Sequence, residues 1–377
     1  MNVFSFVFFT DSDSVTETPV YDLFANGWVG QSKGQLGGGR VGHRPDHLHR
    51  QTSGPLLPPT CTSCTNIFAL VSSVYLLYCS TTTGCVLLLH VCTLYCPPQV
   101  STDQCFVSYP LQHSFIIDQP DRCGEEKPFL VLMIPVAPRD TEARRIIRST
   151  WARETNVMGR TVTHYFLMGR SRNASETDLL QEGRRHGDVL QSDVVDSYNN
   201  LTIKTMLMFE WLSSRCPSAA YAMKIDSDIF LNVHRLVRLL VEAPRSLYMT
   251  GLVVRGAAVH RNPASKWFLP VSVFPEPVYP PYLQGMGYVF SMDLPRMLLK
   301  ASMHVRAVYI EDVYVGLCMR YLGLRPTEPP QSSLFQPQKP FWTFGCYWTG
   351  VIATLLENSR QLQDVWTDVN GSSPSLQ

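Results

Sequence analysis

The sequence predicts an α/β fold built on a doubly wound sheet. Three observations predict it. Residues 127–135 form a continuous apolar run of the kind a parallel sheet buries on both faces. Strand-like and helix-like segments then alternate from Pro128 to about Val254. Finally, an apolar strand-like approach ends in two carboxylates, Asp226 and Asp228. Open α/β sheets bind ligands beyond such carboxyl ends.

Upstream of that domain the composition changes. Residues 1–65 read as a disordered tail, because the Gly-rich stretch 34–42 and the Pro-rich stretch 54–60 have no apolar period that could build a core. The N-terminus lacks the basic region and cleavage site of a signal peptide. From Gln51 to Thr102 no Asp, Glu, Lys or Arg occurs, and residues 67–95 are apolar apart from 80–84 and His90. That is long enough to span a bilayer, so residues 66–96 are expected to form a single transmembrane anchor. Lys33, Arg40, Arg44 and Arg50 precede the run, and Asp103, Asp118 and Asp121 follow it. The positive-inside rule then places the tail in the cytosol and the bulk of the chain in a lumen, a signal-anchor topology. Sequons at Asn173, Asn200 and Asn370 agree with a luminal domain. Residues 97–126 read as a stem, and the folded domain as residues 127–377.

The chain has 377 residues and a formal charge of +1, enough for one catalytic domain plus a further region and no reason to expect nucleic-acid binding. Its eleven cysteines divide unevenly. Cys61-x-x-Cys64 resembles half a zinc site, but no partner pair follows. Cys105, Cys123, Cys216, Cys318 and Cys346 are scattered, as disulfides in an oxidising compartment would be, with a buried free thiol the plain alternative for each.

Within the domain, strands are expected at 128–135, 165–168, 188–190, 220–225 and 247–254. Helices are expected at 139–153, 175–185, 201–213 (capped by Asn200 or Asn199), 231–241, 294–301 and 313–322. Residues 279–288 read as a Pro/Gly-rich loop and 289–291 as an apolar continuation.

Asp226-x-Asp228 at a strand end can hold a hard divalent cation such as Mg²⁺ or Mn²⁺, because carboxylate oxygens suit such ions. That cation would offset the charge of a departing diphosphate. Paired aspartates also occur in ordinary turns, but a second acidic pair, Glu311-Asp312, lies downstream between apolar segments. One acidic site for a metal and one for a base describe a nucleotide-sugar transferase. Arg144 and Arg148, four apart, share one helix face that could approach a diphosphate or uracil, or simply face solvent. Lys204 lies on a capped helix whose N-terminus favours negative charge, and surface solvation is its plain alternative. Trp267 and Tyr282 could give flat faces to a sugar ring or pack in the core. Glu311-Asp312 would also suit a helix N-terminus, and both readings hold together.

Several stretches resemble the beta-1,3-galactosyltransferase family of Golgi enzymes. They are Ala143-Arg-Arg-Ile-Ile-Arg-Ser-Thr-Trp151, Asp196-Ser-Tyr-Asn-Asn-Leu-Thr-Ile-Lys-Thr205 and Met223-Lys-Ile-Asp-Ser-Asp-Ile-Phe230. Downstream come Ser265-Lys-Trp267, Tyr279-Pro-Pro-Tyr282, Gly285-Met-Gly-Tyr288 and Glu311-Asp-Val-Tyr-Val-Gly-Leu-Cys318. The resemblance implies a GT-A type, Rossmann-like nucleotide-sugar transferase domain behind a type II Golgi membrane anchor. It implies UDP-galactose as donor, Mn²⁺ and inversion at the anomeric carbon. The acceptor would be a terminal N-acetylhexosamine or galactose on a glycoprotein or glycolipid. By the same resemblance Asp312 is the base and Glu311 contacts the acceptor. Asp228 binds the metal, and Asp226 meets the ribose or the metal shell. Arg144, Arg148, Lys204, Asp226 and Ser227 serve the donor, and Trp267 and Tyr282 the acceptor. Two departures stand out: Leu355 occupies the place of the family's C-terminal metal-ligand His, and Tyr282-Leu-Gln284 lacks its usual cysteine. A beta-1,3-N-acetylglucosaminyltransferase and a catalytically silent family member are the alternatives.

Overall fold

The computed structural model describes residues 105–371 apart from 108, 110, 111, 173, 342 and 344. The chain divides into two units, 1–98 and 99–377, and every described residue belongs to the second. The expected tail (1–65), the anchor (66–96) and the sequon residue Asn173 lie outside the described residues. Among the described residues no helix is long and apolar enough to cross a membrane.

The elements run β1 (Phe115–Ile117), α1 (Arg122–Glu126), β2 (Leu130–Pro135), α2 (Thr141–Ser149), β3 (Asn156–Val157), β4 (Arg160–Arg170), α3 (Glu176–His186) and β5 (Val189–Val195). They continue with α4 (Leu201–Arg215), β6 (Tyr221–Ile225), β7 (Ile229–Leu231), α5 (Val233–Glu242), β8 (Met249–Val254), β9 (Tyr282–Ser291), α6 (Leu294–Ser302) and α7 (Glu311–Tyr321). The last are β10 (Phe335–Gln336), α8 (Gly345–Gly350), β11 (Ala353–Leu355) and α9 (Ser359–Gly371). The main sheet has eight strands in the order β1-β5-β4-β2-β6-β9-β8, with β3 paired to β4. A three-stranded sheet, β10-β11-β7, lies beside it in the topology.

The apolar run of β2 makes it the central strand, parallel to β4 on one side and β6 on the other. Its alternate residues serve two cores. Leu130, Leu132 and Ile134 pack in one apolar cluster with residues of α2, α5 and α9. Val131 and Met133 pack in another with residues of α4, α6 and α7. The α/β architecture is therefore as expected, but the sheet is mixed. β9 inserts antiparallel between β6 and β8, with Lys224 opposite Tyr288 and Ile225 opposite Gly287.

β9 is where residues 279–288 were expected to form a loop. Gly287, one of the glycines that suggested the loop, permits close approach within the sheet, as does Gly251 on β8. A Cβ on Gly287 would stand 3.2 Å from Met223 Cε, and one on Gly251 would stand 2.9 Å from the Gly287 carbonyl oxygen.

Of the stem expected at 97–126, the described residues, from 105 on, are part of the folded unit. Phe106 bridges to Val308, β1 pairs with β5, and Cys123 is disulfide-bonded to Cys216. A three-residue edge strand and a five-residue helix are too short to display an apolar period. The disulfide closes a loop of 93 residues. Cys123→Ser is therefore expected to destabilise the folded unit by about 2–4 kcal/mol, read as a lower midpoint in thermal or urea unfolding. An unchanged midpoint would mean that the bridge restrains nothing.

Candidate active site

The turn carrying Asp226, Ser227 and Asp228 joins β6 to β7 and is pinned from several sides. Asp226 N donates to Met286 O at 3.1 Å, and Leu356 N to Asp228 O at 2.9 Å. The buried Trp151 donates from Nε1 to Ile229 O at 3.0 Å, tying the segment after α2 to β7. Leu355 lies opposite Ile229 in the ladder, so β11 runs directly alongside this turn and presents an apolar residue there.

Sequence reasoning missed the centre of the site, Lys224. Its side chain is 5% exposed and leaves β6 one residue before its carboxyl end, from a strand otherwise made of buried Tyr, Ala, Met and Ile. The ammonium lies 2.6 Å from Asp226 Oδ1 and 3.7 Å from Glu311 Oε2, and donates a short hydrogen bond to the Gly285 carbonyl. Burial alone would lower its pKa, but Asp226 and Glu311 outweigh that and raise it, so the lysine stays charged. The signal in the sequence was a lysine flanked on both sides by strand-core residues. Such a lysine is almost never fully buried without a partner.

Glu311 and Asp312 form the first turn of α7, as the N-terminal reading expected. Tyr288 donates its hydroxyl to Glu311 Oε1. Asp312 Oδ2 accepts from Gly285 N at 2.9 Å, and Oδ1 from Val313 N at 2.8 Å. Burial pushes both carboxyls up from their ordinary values. Gly316 lets α7 lie close against β9, since a Cβ there would stand 2.6 Å from Tyr282 Cβ. The two acidic pairs, far apart in sequence, therefore meet around one ammonium.

The carboxyl of Asp228 is pushed up to about 6, by burial first and then by the charge of Asp226. A buried carboxylate beside a second one suits a hard divalent cation, which offsets the negative charge of both. With one Asp226 oxygen taken by Lys224, the protein offers the other Asp226 oxygen and Asp228. Among the described residues no group of three or more His, Cys, Asp or Glu gathers to hold a metal. Remaining ligands would have to come from the donor diphosphate or water.

The predicted donor-side cations take structural partners. Arg144 is fully buried, bidentate on Glu182 at 2.7 and 2.8 Å, and donates to Ala137 O and Pro138 O. Arg148 donates to Asp188 and Glu182. Lys204 is likewise buried rather than solvated, paired with Asp196 at 2.9 Å and donating to Val136 O at 3.4 Å. Arg144 and Lys204 thus both grip the loop after β2, at the carboxyl end of the central strand.

On the acceptor side, Tyr282 is half-buried at the start of β9, its hydroxyl pushed up to about 12 by burial and then by Asp312. Trp267 is half-buried in the β8–β9 connection, with the Lys266 ammonium 4.5 Å over its ring and His260 beside it. Tyr198, which sequence reasoning did not select, has its hydroxyl pushed up by burial and then by the charge of Asp312. Asn200 stands at the N-cap position of α4, but its Nδ2 donates to Val195 O at 2.9 Å instead of its side chain capping the helix.

The Arg148–Asp188–His164 cluster carries a pH signature. Burial pushes the Asp188 carboxyl up, but the Arg148 and His164 hydrogen bonds outweigh it and hold the group well below its ordinary value of 3.8. A depressed carboxylate stabilises the fold fully above its ordinary value, and that contribution is lost as pH falls through the depressed one. Asp188→Asn is therefore expected to cost about 3 kcal/mol at neutral pH and to flatten the fall in unfolding free energy below pH 4. A mutant whose acid limb matches wild type would contradict this.

Comparisons with known proteins bear on this arrangement. The sequence pattern of the Galactosyltransferase family matches residues 142–330. Beta-1,3-galactosyltransferase 2 of Pongo abelii is 37% identical over 266 residues, 68% of this chain and 63% of that one. The human beta-1,3-galactosyltransferase 2 is 37% identical over 258 residues, 67% of this chain and 61% of that one. Beta-1,3-galactosyltransferase 1 of Mus musculus is 36% identical over 265 residues, 69% of this chain and 80% of that one. The chain thus spans less than two thirds of the length of the first two relatives. Solved structures are more remote: a WbbM bifunctional glycosyltransferase matches with a TM-score of 0.35 and 11% identity, over 60% of this chain and 45% of that one.

Proposed function

Since this chain belongs to the galactosyltransferase family, we propose that it is an inverting beta-1,3-galactosyltransferase with a GT-A type domain. It moves galactose from UDP-galactose to a hydroxyl of a terminal N-acetylhexosamine or galactose on a glycoprotein or glycolipid. The observation that carries the reading is the convergence of Asp226, Glu311 and the Gly285 peptide on Lys224, with Asp312 bonded to the same peptide.

In this reading Asp312 accepts the proton of the acceptor hydroxyl while that oxygen forms its bond to the anomeric carbon. The bond from that carbon to the diphosphate breaks on the opposite side, and its electron pair leaves with UDP. Both Asp312 oxygens are held by backbone N–H groups, which fix the carboxylate's direction and leave lone pairs for the proton. Glu311, held by Lys224 and Tyr288, lines the same approach. Mn²⁺ bound by Asp228 and Asp226 would offset the charge of the departing diphosphate. Ser227 in the turn between them would meet the nucleotide. Arg144 and Lys204 serve the donor by holding the loop after β2, and Arg148 by holding Glu182, the acid that Arg144 also grips. Trp267 and Tyr282 line the acceptor side.

The setting we propose is the Golgi lumen, with residues 66–96 as a type II anchor. The apolar run and its flanking charges support this, as does the Cys123–Cys216 disulfide, which suits an oxidising compartment. Glycans on Asn173 and Asn200 belong to the same proposal. Leu355 beside the Asp228 turn favours a second reading, a catalytically silent member that retains the fold.

Galactose transfer by the detergent-solubilised full chain with Mn²⁺ separates these readings. UDP-galactose is expected to give product, with kcat falling roughly 100-fold or more in Asp312→Asn while the mutant keeps its UDP affinity. Product from UDP-N-acetylglucosamine instead would identify the N-acetylglucosaminyltransferase. Product from neither donor would favour the silent member.

A further inference from the structure

We propose that Gly285 gauges the acceptor: its missing side chain leaves a niche between Glu311 and Asp312 that admits one bare hydroxyl of the acceptor sugar and nothing larger. The inference rests on the transferase reading above and adds a size limit at the point of attack.

Glycine in a strand interior is destabilising by roughly 0.5–1 kcal/mol relative to alanine, so each strand glycine calls for a reason. Gly251 and Gly287 have one in the close backbone and side-chain approach within the sheet. Gly285 does not. Its φ is not in the left-handed region, and a Cβ there would touch its neighbours only at ordinary distance. The three nearest atoms would be Asp312 Oδ2 at 3.4 Å, Glu311 Oε2 at 3.5 Å and Asp312 Cβ at 3.6 Å. Backbone and packing would therefore accept alanine here. The space that glycine leaves is bounded by two carboxylate oxygens.

Those neighbours define what the niche accepts. An oxygen slightly nearer the carboxylates than that Cβ position comes within hydrogen-bond reach of both. Asp312 can then take the hydroxyl proton while Glu311 holds the oxygen in line. The wall of the niche cannot retreat, because Gly285 N is held by Asp312 and Gly285 O by Lys224. Glu311 is fixed in turn by Lys224 and Tyr288. A methyl on either partner, the protein or the acceptor, would fill the same point.

Gly285→Ala in the full chain tests this from the protein side. Its unfolding midpoint and its UDP affinity measured by calorimetry are expected to stay close to wild type. Its kcat/KM for the acceptor is expected to fall about 100-fold, the scale for a misplaced reacting group. A merely structural glycine would instead lower the midpoint and weaken UDP binding along with transfer. The wild-type enzyme supplies a second test that holds even if the variant does not fold. Two acceptor analogues, one deoxy and one O-methyl at the hydroxyl that receives galactose, are compared as inhibitors competing with acceptor. The deoxy analogue is expected to inhibit near the acceptor KM, and the methyl ether roughly tenfold or more weakly. Wild-type transfer by Gly285→Ala, or equal inhibition by the two analogues, would overturn the niche while leaving the transferase intact. A wild-type chain that transfers from no UDP-sugar would overturn both.

Discussion

A single buried ammonium organises this molecule's chemistry. Lys224 lies near the end of a buried strand, where an isolated charge would be untenable, and its position is bearable only because Asp226, Glu311 and a carbonyl meet it. The dependence is mutual. Without the ammonium, the buried Glu311 would lose its cationic partner and keep the repulsion of Asp312 and Asp226. Removing one partner of such a cluster is far more costly than the cluster's net worth.

The mixed sheet is what makes that meeting possible. Lys224 and Asp226 come from β6 and its following turn, the Gly285 peptide from β9, and the acidic pair from the first turn of α7. An all-parallel sheet would send the chain away from the carboxyl end of β6 through a crossover. The antiparallel β9 instead runs back beside β6 and brings residues about sixty positions downstream into contact with Lys224. Glycines at 287 and 316 set the spacing, one between strands and one between β9 and α7. Tertiary bonds fix the outer walls: Trp151 and Leu356 hold the Asp228 turn, and Arg144 and Lys204 hold the loop after β2.

Much of this could be read in the sequence, and the failures have physical causes. The run at 128–135 announced the central strand because both its faces are buried, and Asp226 and Asp228 stood at a strand end as expected. Glu311-Asp312 occupied a helix N-terminus as read. β9 was hidden because glycine lowers strand propensity wherever backbones must approach closely, which no local pattern reveals. The edge elements at 115–126 were too short to carry a period. Lys204 and Arg144 were read as facing the donor or solvent because a helix sequence shows which residues share a face but not which acids await them, and Asp196 and Glu182 lie on other elements. Lys224 was visible in principle, since a lysine between Met223 and Ile225 in a buried strand demands a partner. Its partners, however, come from three separate segments.

Calorimetric titration of UDP into the full chain, with and without Mn²⁺, in wild type and Asp228→Ala, tests the central claim most directly. If the carboxylates around Lys224 form a nucleotide-sugar site, UDP binds in a metal-dependent way, and that dependence disappears in Asp228→Ala. Metal-independent binding, or none to a folded chain, would contradict the account and leave the cluster as a stabilising feature of the sheet.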